Sequence, residues 1–273
     1  MPASELALLA ALIIAGGALT GLLAGVFGVG GGGIIVPVLY EVFRAAGVPE
    51  DVRMQLCVGT SLAIILPTSI RAFMTHRRAL VLSMDVFRRW LIPIVVGVAL
   101  GGFIAAIAPG WVFKISFVVV ASLLAAKMFI GSDTWRLGET LPGRWLMSLY
   151  GFVIGLYSAL MGVGGGSVAT LVLTLYGTPI HTAIGYSSGV GVVIAIAGTI
   201  SFIIAGIPHL AMLPPFSLGF VSLIGLFLMA PITSLVAPYG ARLAHKLSRR
   251  KLEILFGLFL SFVTLRFVAS LIW

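Results

Sequence analysis

Acidic residues are scarce in this chain, and none lies within a long apolar stretch. Eight Asp and Glu stand against seventeen Lys and Arg, and Glu5, Glu41, Glu50, Asp51, Asp85, Asp133, Glu139 and Glu253 all fall in loops or near segment ends. An acid embedded in the membrane is the usual mark of a proton relay or of cation coupling, so this placement speaks against both. Cysteine is reduced to Cys57, which excludes an internal disulfide and any cysteine metal cluster; in its apolar run it reads as small core filler. Only 9% of residues are charged while 60% are hydrophobic, and the mean hydropathy is +1.19. That leaves too little polar surface to cover a water-soluble globule, so the chain is an integral membrane protein. A basic start is missing as well: Glu5 precedes the first apolar segment and no Lys or Arg occurs before Arg44. The segment is therefore expected to stay in the mature protein instead of being cleaved as a signal peptide.

What is present is a series of ten apolar segments without the in-and-out alternation of a membrane barrel. They run about Leu6 to Phe27, Ile34 to Phe43, Met54 to Met74, Trp90 to Ile107, Trp111 to Ile130, Trp145 to Met161, Val168 to Tyr176, Ala183 to Ile207, Met212 to Val236 and Leu252 to Ile272. Trp90, Trp111, Trp145 and Trp273 stand at segment ends, as in an interfacial aromatic belt. Pro214-Pro215, with Pro231 and Pro238, are expected to kink or delimit segment nine. The second and seventh segments are only about ten residues long, roughly half of what a bilayer core of ~30 Å requires at ~1.5 Å per residue. Each is expected to form, with the segment before it, a hairpin that turns near mid-membrane and is enclosed by protein.

The sequence at those turns occurs twice. Gly28-Val29-Gly30-Gly31-Gly32-Gly33 is answered by Gly162-Val163-Gly164-Gly165-Gly166-Ser167, and Gly21-Leu22 and Val38-Leu39 by Gly155-Leu156 and Val172-Leu173, all at one offset of 134. The chain thus reads as two repeats, 1–131 and 145–273, joined by a turn-rich connector over 132–144. Basic residues fix the orientation. Thirteen of the seventeen flank the third-to-fourth connection, the joint between copies and the ninth-to-tenth connection, against Arg44, Arg53, Lys114 and Arg266 on the other side. The first side is then cytoplasmic and both termini are external. Five segments per copy make the second copy enter with opposite polarity, an inverted repeat. The net charge of +9 belongs to these loops; with no aromatic-interleaved basic face it points to topology and anionic lipid, not to nucleic acid.

Three groups of residues carry candidate chemistry. Gly30, Gly31 and Gly32, and Gly164, Gly165 and Gly166, leave N–H groups free at a helix start, where the positive end of the dipole attracts anions; close helix packing by small residues is the alternative. The match of Gly28-x-Gly30-x-x-Gly33 to a dinucleotide fingerprint is rejected, because it lacks a preceding strand and Ser167 replaces the last glycine in the second copy. The third segment of each copy opens on a polar cluster, Gly59-Thr60-Ser61 and Gly185-Tyr186-Ser187-Ser188. Its hydroxyls either donate to an oxyanion or bond their own helix carbonyls. Arg71 either snorkels to the cytoplasmic surface or draws an anion toward the cavity. His76, His181, His209 and His245 sit at segment edges and read as interfacial.

The doubled Gly-Val-Gly-Gly-Gly, with Val-Gly-Thr-Ser-Leu over Val58 to Leu62 and the His76-Arg77-Arg78 loop, resembles the TauE/SafE sulfite-exporter-like family over about Leu6 to Ile272. That resemblance implies transport of small sulfur-containing anions (sulfite, sulfoacetate or another organosulfonate, thiosulfate) across a bacterial inner membrane. It points at Gly30 to Gly32 and Gly164 to Gly166, with Thr60, Ser61 and Ser187 as companions; Ser167 and Tyr186 depart from the repeat and make the half-sites unequal. The expectation is an all-α polytopic transporter, not an enzyme, without cofactor or metal. Its partners are the anion and the bilayer, with a homo-oligomer possible. A cation or metal transporter using hairpin carbonyls, or an intramembrane hydrolase built on Ser167 and His181, are the rival classes. Export of a dianion across ~100 mV gains about 4.6 kcal/mol without any coupling ion.

Overall fold

A computed structural model describes residues 3–27, 32–79, 84–130, 137–244 and 248–272. Among them the chain forms ten α-helices in the order expected: α1 Ala3–Phe27, α2 Gly32–Ala45, α3 Glu50–Ala79, α4 Met84–Ile107, α5 Gly110–Ile130, α6 Arg144–Met161, α7 Gly166–Leu175, α8 Ile180–Gly206, α9 Leu223–Ala244 and α10 Arg249–Ile272. Among the described residues, seven candidate spans are long and apolar enough to cross a bilayer, those of α3, α4, α5, α6, α8, α9 and α10. With 14 residues in α2 and 10 in α7, the short helices reach only about 21 and 15 Å.

Both short helices are stopped in the same way. After α2, the Gly47 N–H donates to Arg44 O and the Val48 N–H to Phe43 O; after α7, Gly177 donates to Thr174 O and Thr178 to Leu173 O. In each case a left-handed glycine, Gly47 at φ +73 and Gly177 at φ +78, turns the chain out of the helix. The proline two residues later, Pro49 or Pro179, then starts the next helix, as in a glycine C-cap followed by a proline helix start. The half-length of these segments is written into a Gly-x-Pro signal that each copy carries.

Packing links the copies. α1 lies along α9 and α4 along α6, while α3 packs on α8 and α5 on α10. Exchanging each helix with its counterpart five places along the chain maps this set of pairs onto itself. The α4–α6 crossing is close because glycines meet backbone: a Cβ at Gly155 would overlap the Ile94 carbonyl, and one at Gly97 the Phe152 carbonyl. α1 uses Gly17 and Gly21, 134 residues before Gly151 and Gly155, against Met229 and Thr233 of α9.

Segment nine departs from the hydropathy reading. Its expected first eleven residues, Met212 to Ser222, are not α-helix: Ile207–Met212 is a 3-10 helix, and Ser217–Leu218 pairs antiparallel with Val221–Ser222 as a small hairpin (β1, β2) before α9 begins at Leu223. Pro214-Pro215 cannot continue a helix, and Phe216 and Gly219 take φ values of 59 and 54. The turn and second strand of the hairpin are buried beside the last turns of α8, the Phe220 N–H donating to Phe202 O at 3.1 Å, while Leu218 on the first strand is exposed. Trp90 also differs from its assignment to an interfacial belt. It is 1% exposed and packs on Gly151, because α4 begins six residues before it. Trp111 and Trp145 are exposed; Trp273 lies outside the described residues.

The four basic residues of the sparse side converge on one end of the bundle. Arg44 and Arg266 pair with Glu41 at 3.4 and 3.0 Å, and Arg53 and Lys114 each lie 5.4 Å from the centre of the Tyr40 ring. The Lys114 ammonium, with its side chain 3% exposed, donates to Glu50 at 2.5 Å and to Ser270 O at 3.1 Å. A buried cation that loses its anion is costly, whereas an exposed carboxylate that loses its cation is rehydrated. Glu50→Gln is therefore expected to destabilise the protein by about 2 kcal/mol, with Lys114→Met milder, in thermal unfolding of detergent-purified protein. Arg44→Gln, which breaks an exposed pair, should leave the unfolding midpoint unchanged.

Candidate functional site

The second glycine run is a tight turn between α6 and α7. Gly162 closes α6 in the left-handed region (φ 67, ψ 24), its N–H on Ser158 O. Val163 donates to the same carbonyl at 3.2 Å and Gly165 to Val163 O at 2.7 Å. Gly165, again left-handed (φ 65, ψ −8), is the N-cap of α7, and no side chain caps that helix. Its first N–H groups, which helix geometry leaves without intrahelical acceptors, emerge at this turn.

The head of α2 meets the turn directly. A Cβ on Gly32 would stand 2.7 Å from Val163 Cα and 3.1 Å from Gly162 O, so the two backbones touch with no side chain between them at that point. Gly30 and Gly31 lie outside the described residues. Gly33 has nothing within 4 Å of a would-be Cβ, so the space opens one residue along. Two helix starts thus share one place, and their dipoles present positive ends to it.

Two helix faces flank the turn. On α3, Ser61 donates to Gly162 O at 2.7 Å. Ile65 wedges between the tips, with Cδ1 2.9 Å from the Cβ position of Gly32 and Cγ2 3.0 Å from that of Gly164. Ser69 Oγ lies one turn further, 4.0 Å from the Gly164 position and 3.2 Å from that of Gly191. On α8, Ser187 places its carbonyl 3.8 Å from the Cβ position of Gly166, and Gly191 faces Gly164 O. Steps of four along one face, Ser61 to Ile65 to Ser69 and Ser187 to Gly191, produce this lining.

The other hydroxyls of the polar clusters are engaged locally or elsewhere. Thr60, next to Ser61 but on another helix face, accepts the Ser222 N–H at 2.9 Å and so ties the β-hairpin to α3. The Ser187 hydroxyl donates to Ile184 O at 3.0 Å and accepts from Thr170 at 2.7 Å. Ser188 turns back to Gly185 O at 2.8 Å. Arg71 is an exposed residue of α3 two positions beyond Ser69. Ser69 was not singled out by the sequence, although stepping by four from Ser61 reaches it. Ser158 was not either: it is fully buried, its Oγ has no hydrogen-bond partner, and that atom lies 2.7 Å from the Cβ position of Gly165.

Comparison with known proteins supplies a context for this arrangement. A "Probable membrane transporter protein" of Haemophilus influenzae is 32% identical over 255 residues, covering 91% of this chain and 94% of its own. A "Probable membrane transporter protein" of Methanocaldococcus jannaschii is 27% identical over 263 residues, covering 92% of each. No solved structure matches the chain significantly. The family model described as Sulfite exporter TauE/SafE matches residues 13–267. With apolar helices throughout and a match that spans both glycine runs, the chain belongs to the TauE/SafE sulfite exporter family of membrane transport proteins.

Proposed function

We propose that the protein moves small sulfur-containing anions, such as sulfite, sulfoacetate, other organosulfonates or thiosulfate, out of the cytoplasm by alternating access. The observation that carries this reading is the apposition of Gly32, at the start of α2, with Gly162 and Val163, at the turn into α7. The anion sits beside that contact, at the start of α7 next to Gly166 and Gly191. Backbone N–H groups of Gly30 to Gly32 and of Gly164 and Gly166, with the two helix dipoles, hold it; Gly165, whose N–H closes the turn on Val163 O, and Thr60, Ser61, Ser187 and Ser188, whose hydroxyls are bonded within the protein, set the frame around it, and Arg71 attracts it toward the site. A cradle made of peptide N–H groups and neutral hydroxyls binds negative charge without fixing a buried cation, so the solute can leave again.

The exchange of helix pairs described above supports reading 1–131 and 145–273 as inverted repeats about the connector 132–144. The gathering of Arg44, Arg53, Lys114 and Arg266 at one end supports an external side there, with both termini external in an inner membrane. Rocking one repeat against the other would expose the tips to each side in turn.

Flux in liposomes tests the reading. Efflux of sulfite or sulfoacetate is expected to accelerate when the inside is made negative. At ~100 mV a dianion gains about 4.6 kcal/mol, a ratio of roughly a thousandfold or more at equilibrium. Efflux that ignores voltage and follows a pH gradient would overturn uncoupled export. In a thermal-shift panel, stabilisation by metal cations and not by oxyanions would replace the anion reading with a cation one.

A further inference from the structure

The two tips are chemically unequal, and the inequality resides in two serines outside the repeated motif. Ser158 is 0% exposed and its Oγ is unpartnered. Its own carbonyl already accepts the Gly162 and Val163 N–H groups, and its hydroxyl is directed at Gly165, the uncapped start of α7. A buried hydroxyl without a partner is disfavoured and asks for an explanation, an absent ligand among them. Ser69 approaches the same turn from α3, its hydroxyl facing Gly164 and Gly191, while the adjacent Thr68 hydroxyl is spent on Ile65 O at 2.7 Å. The first tip has no such pair. Position 24, which answers Ser158 at the offset of 134, is Ala24, and the residue of α8 that answers Ser69, eight beyond Ser187, is Ala195.

We propose that the second tip is the stronger half-site, with Ser69 donating a hydrogen bond to one oxygen of the bound anion and Ser158 reinforcing the start of α7 with its uncommitted O–H. This rests on the reading that a sulfur oxyanion binds at the tips. The ligand chemistry it fits is an SO3 head group: three acceptor oxygens diverge from one sulfur, one toward the α7 N–H groups, one toward Ser69 and one toward the α2 side. A carboxylate, with two oxygens in a plane, leaves one of these donors unmet and is selected against.

The test uses the full chain in detergent and in liposomes, with sulfoacetate and acetate as probes. Ser69→Ala should weaken sulfoacetate binding by about tenfold or more, the effect of one lost hydrogen bond to a charged group. Ser69→Thr, which keeps the hydroxyl, should restore most of it. Ser158→Ala should leave the ligand-free unfolding midpoint unchanged or raised, because no bond is lost, and yet reduce the shift that sulfoacetate produces. Ser116→Ala, whose hydroxyl is bonded to Val112 O on α5, serves as the control that changes neither. If the wild type responds to sulfoacetate and Ser69→Ala and Ser158→Ala respond identically to it, the half-site proposal is overturned while anion binding at the tips stands. If the wild type responds to no sulfur oxyanion, the functional reading falls and the proposal with it.

Discussion

Gly32→Ala is expected to abolish transport, while Gly33→Ala, one residue along in the same glycine run, leaves it close to wild type. A methyl group on Gly32 would have to occupy space 2.7 Å from Val163 Cα and 3.1 Å from Gly162 O. Those are backbone atoms of another helix turn and cannot rotate aside as a side-chain end can. The two tips must separate, at the ~1–3 kcal/mol typical of overpacking a close contact, and the separation pulls apart the two helix starts whose dipoles converge. Gly33 has nothing within 4 Å, so its methyl group enters open space and slightly favours the helix. The comparison requires protein amount in the membrane, unfolding midpoint and anion flux for both variants. A drop in flux of tenfold or more for Gly32→Ala with folded protein still present is the expected result. Equal behaviour of the two variants would mean that the tips do not meet as described. Gly162→Ala should resemble Gly32→Ala, since its φ of 67 adds about 1–2 kcal/mol of backbone strain to a contact of 3.0 Å with Val58 Cα.

How far such distinctions can be seen in a sequence depends on what kind of physics sets them. The ten helices and the two short ones were legible because hydropathy over a long window, broken by glycine runs, reports directly on burial in lipid. The hairpin before α9 was not, because Met212 to Ser222 is as apolar as a span and only Pro214-Pro215 marks the break; a prediction of kink or boundary could not decide between the two. Trp90 was placed at the interface because the apolar run starts there, whereas α4 starts at Met84 and carries its polar first turns Asp85, Arg88 and Arg89 with it. The glycine runs were legible as a repeat, but which glycine touches backbone and which faces open space is a tertiary fact. Thr60 and Ser61 looked like one cluster. Adjacent helix positions point about 100° apart, and so one ties down the hairpin and the other the turn. Ser69 was within reach of the same geometry, since the face that begins at Ser61 continues through Ile65 to it.

The tips are only as fixed as the helices that carry them, and this places the second large effect at the crossing of α4 and α6. Glycines from both helices interleave there. Besides Gly155 against the Ile94 carbonyl and Gly97 against that of Phe152, a Cβ at Gly101 would come 2.5 Å from Ala159 Cβ, and one at Gly151 would come 3.3 Å from Pro93 Cβ. At the counterpart crossing of α1 and α9 a Cβ at Gly21 would come 2.8 Å from the Thr233 carbonyl oxygen, against 2.3 Å from the Ile94 carbonyl oxygen for its counterpart Gly155, and the nearest atom to a Cβ at Gly17 is a Met229 side-chain carbon at 3.3 Å. In a bilayer no water is released when helices meet, so such a crossing depends on the closeness of backbone approach. Gly155→Leu is therefore expected to eliminate folded protein from the membrane, and Gly155→Ala and Gly97→Ala to lower the unfolding midpoint clearly. Gly17→Ala should lower it little, because a methionine side chain can move by a few tenths of an ångström. The readouts are monodisperse protein recovered by size exclusion and thermal unfolding in detergent. A second consequence separates this from a generic packing defect. α6 ends on Gly162, so pushing α6 off α4 also shifts the turn that faces Gly32, and Gly97→Ala should lose anion response beyond its loss of stability. If Gly97→Ala folds less stably but responds to the anion as the wild type does, the tips are held by α3 through Ser61 alone, and the crossing does not position the site.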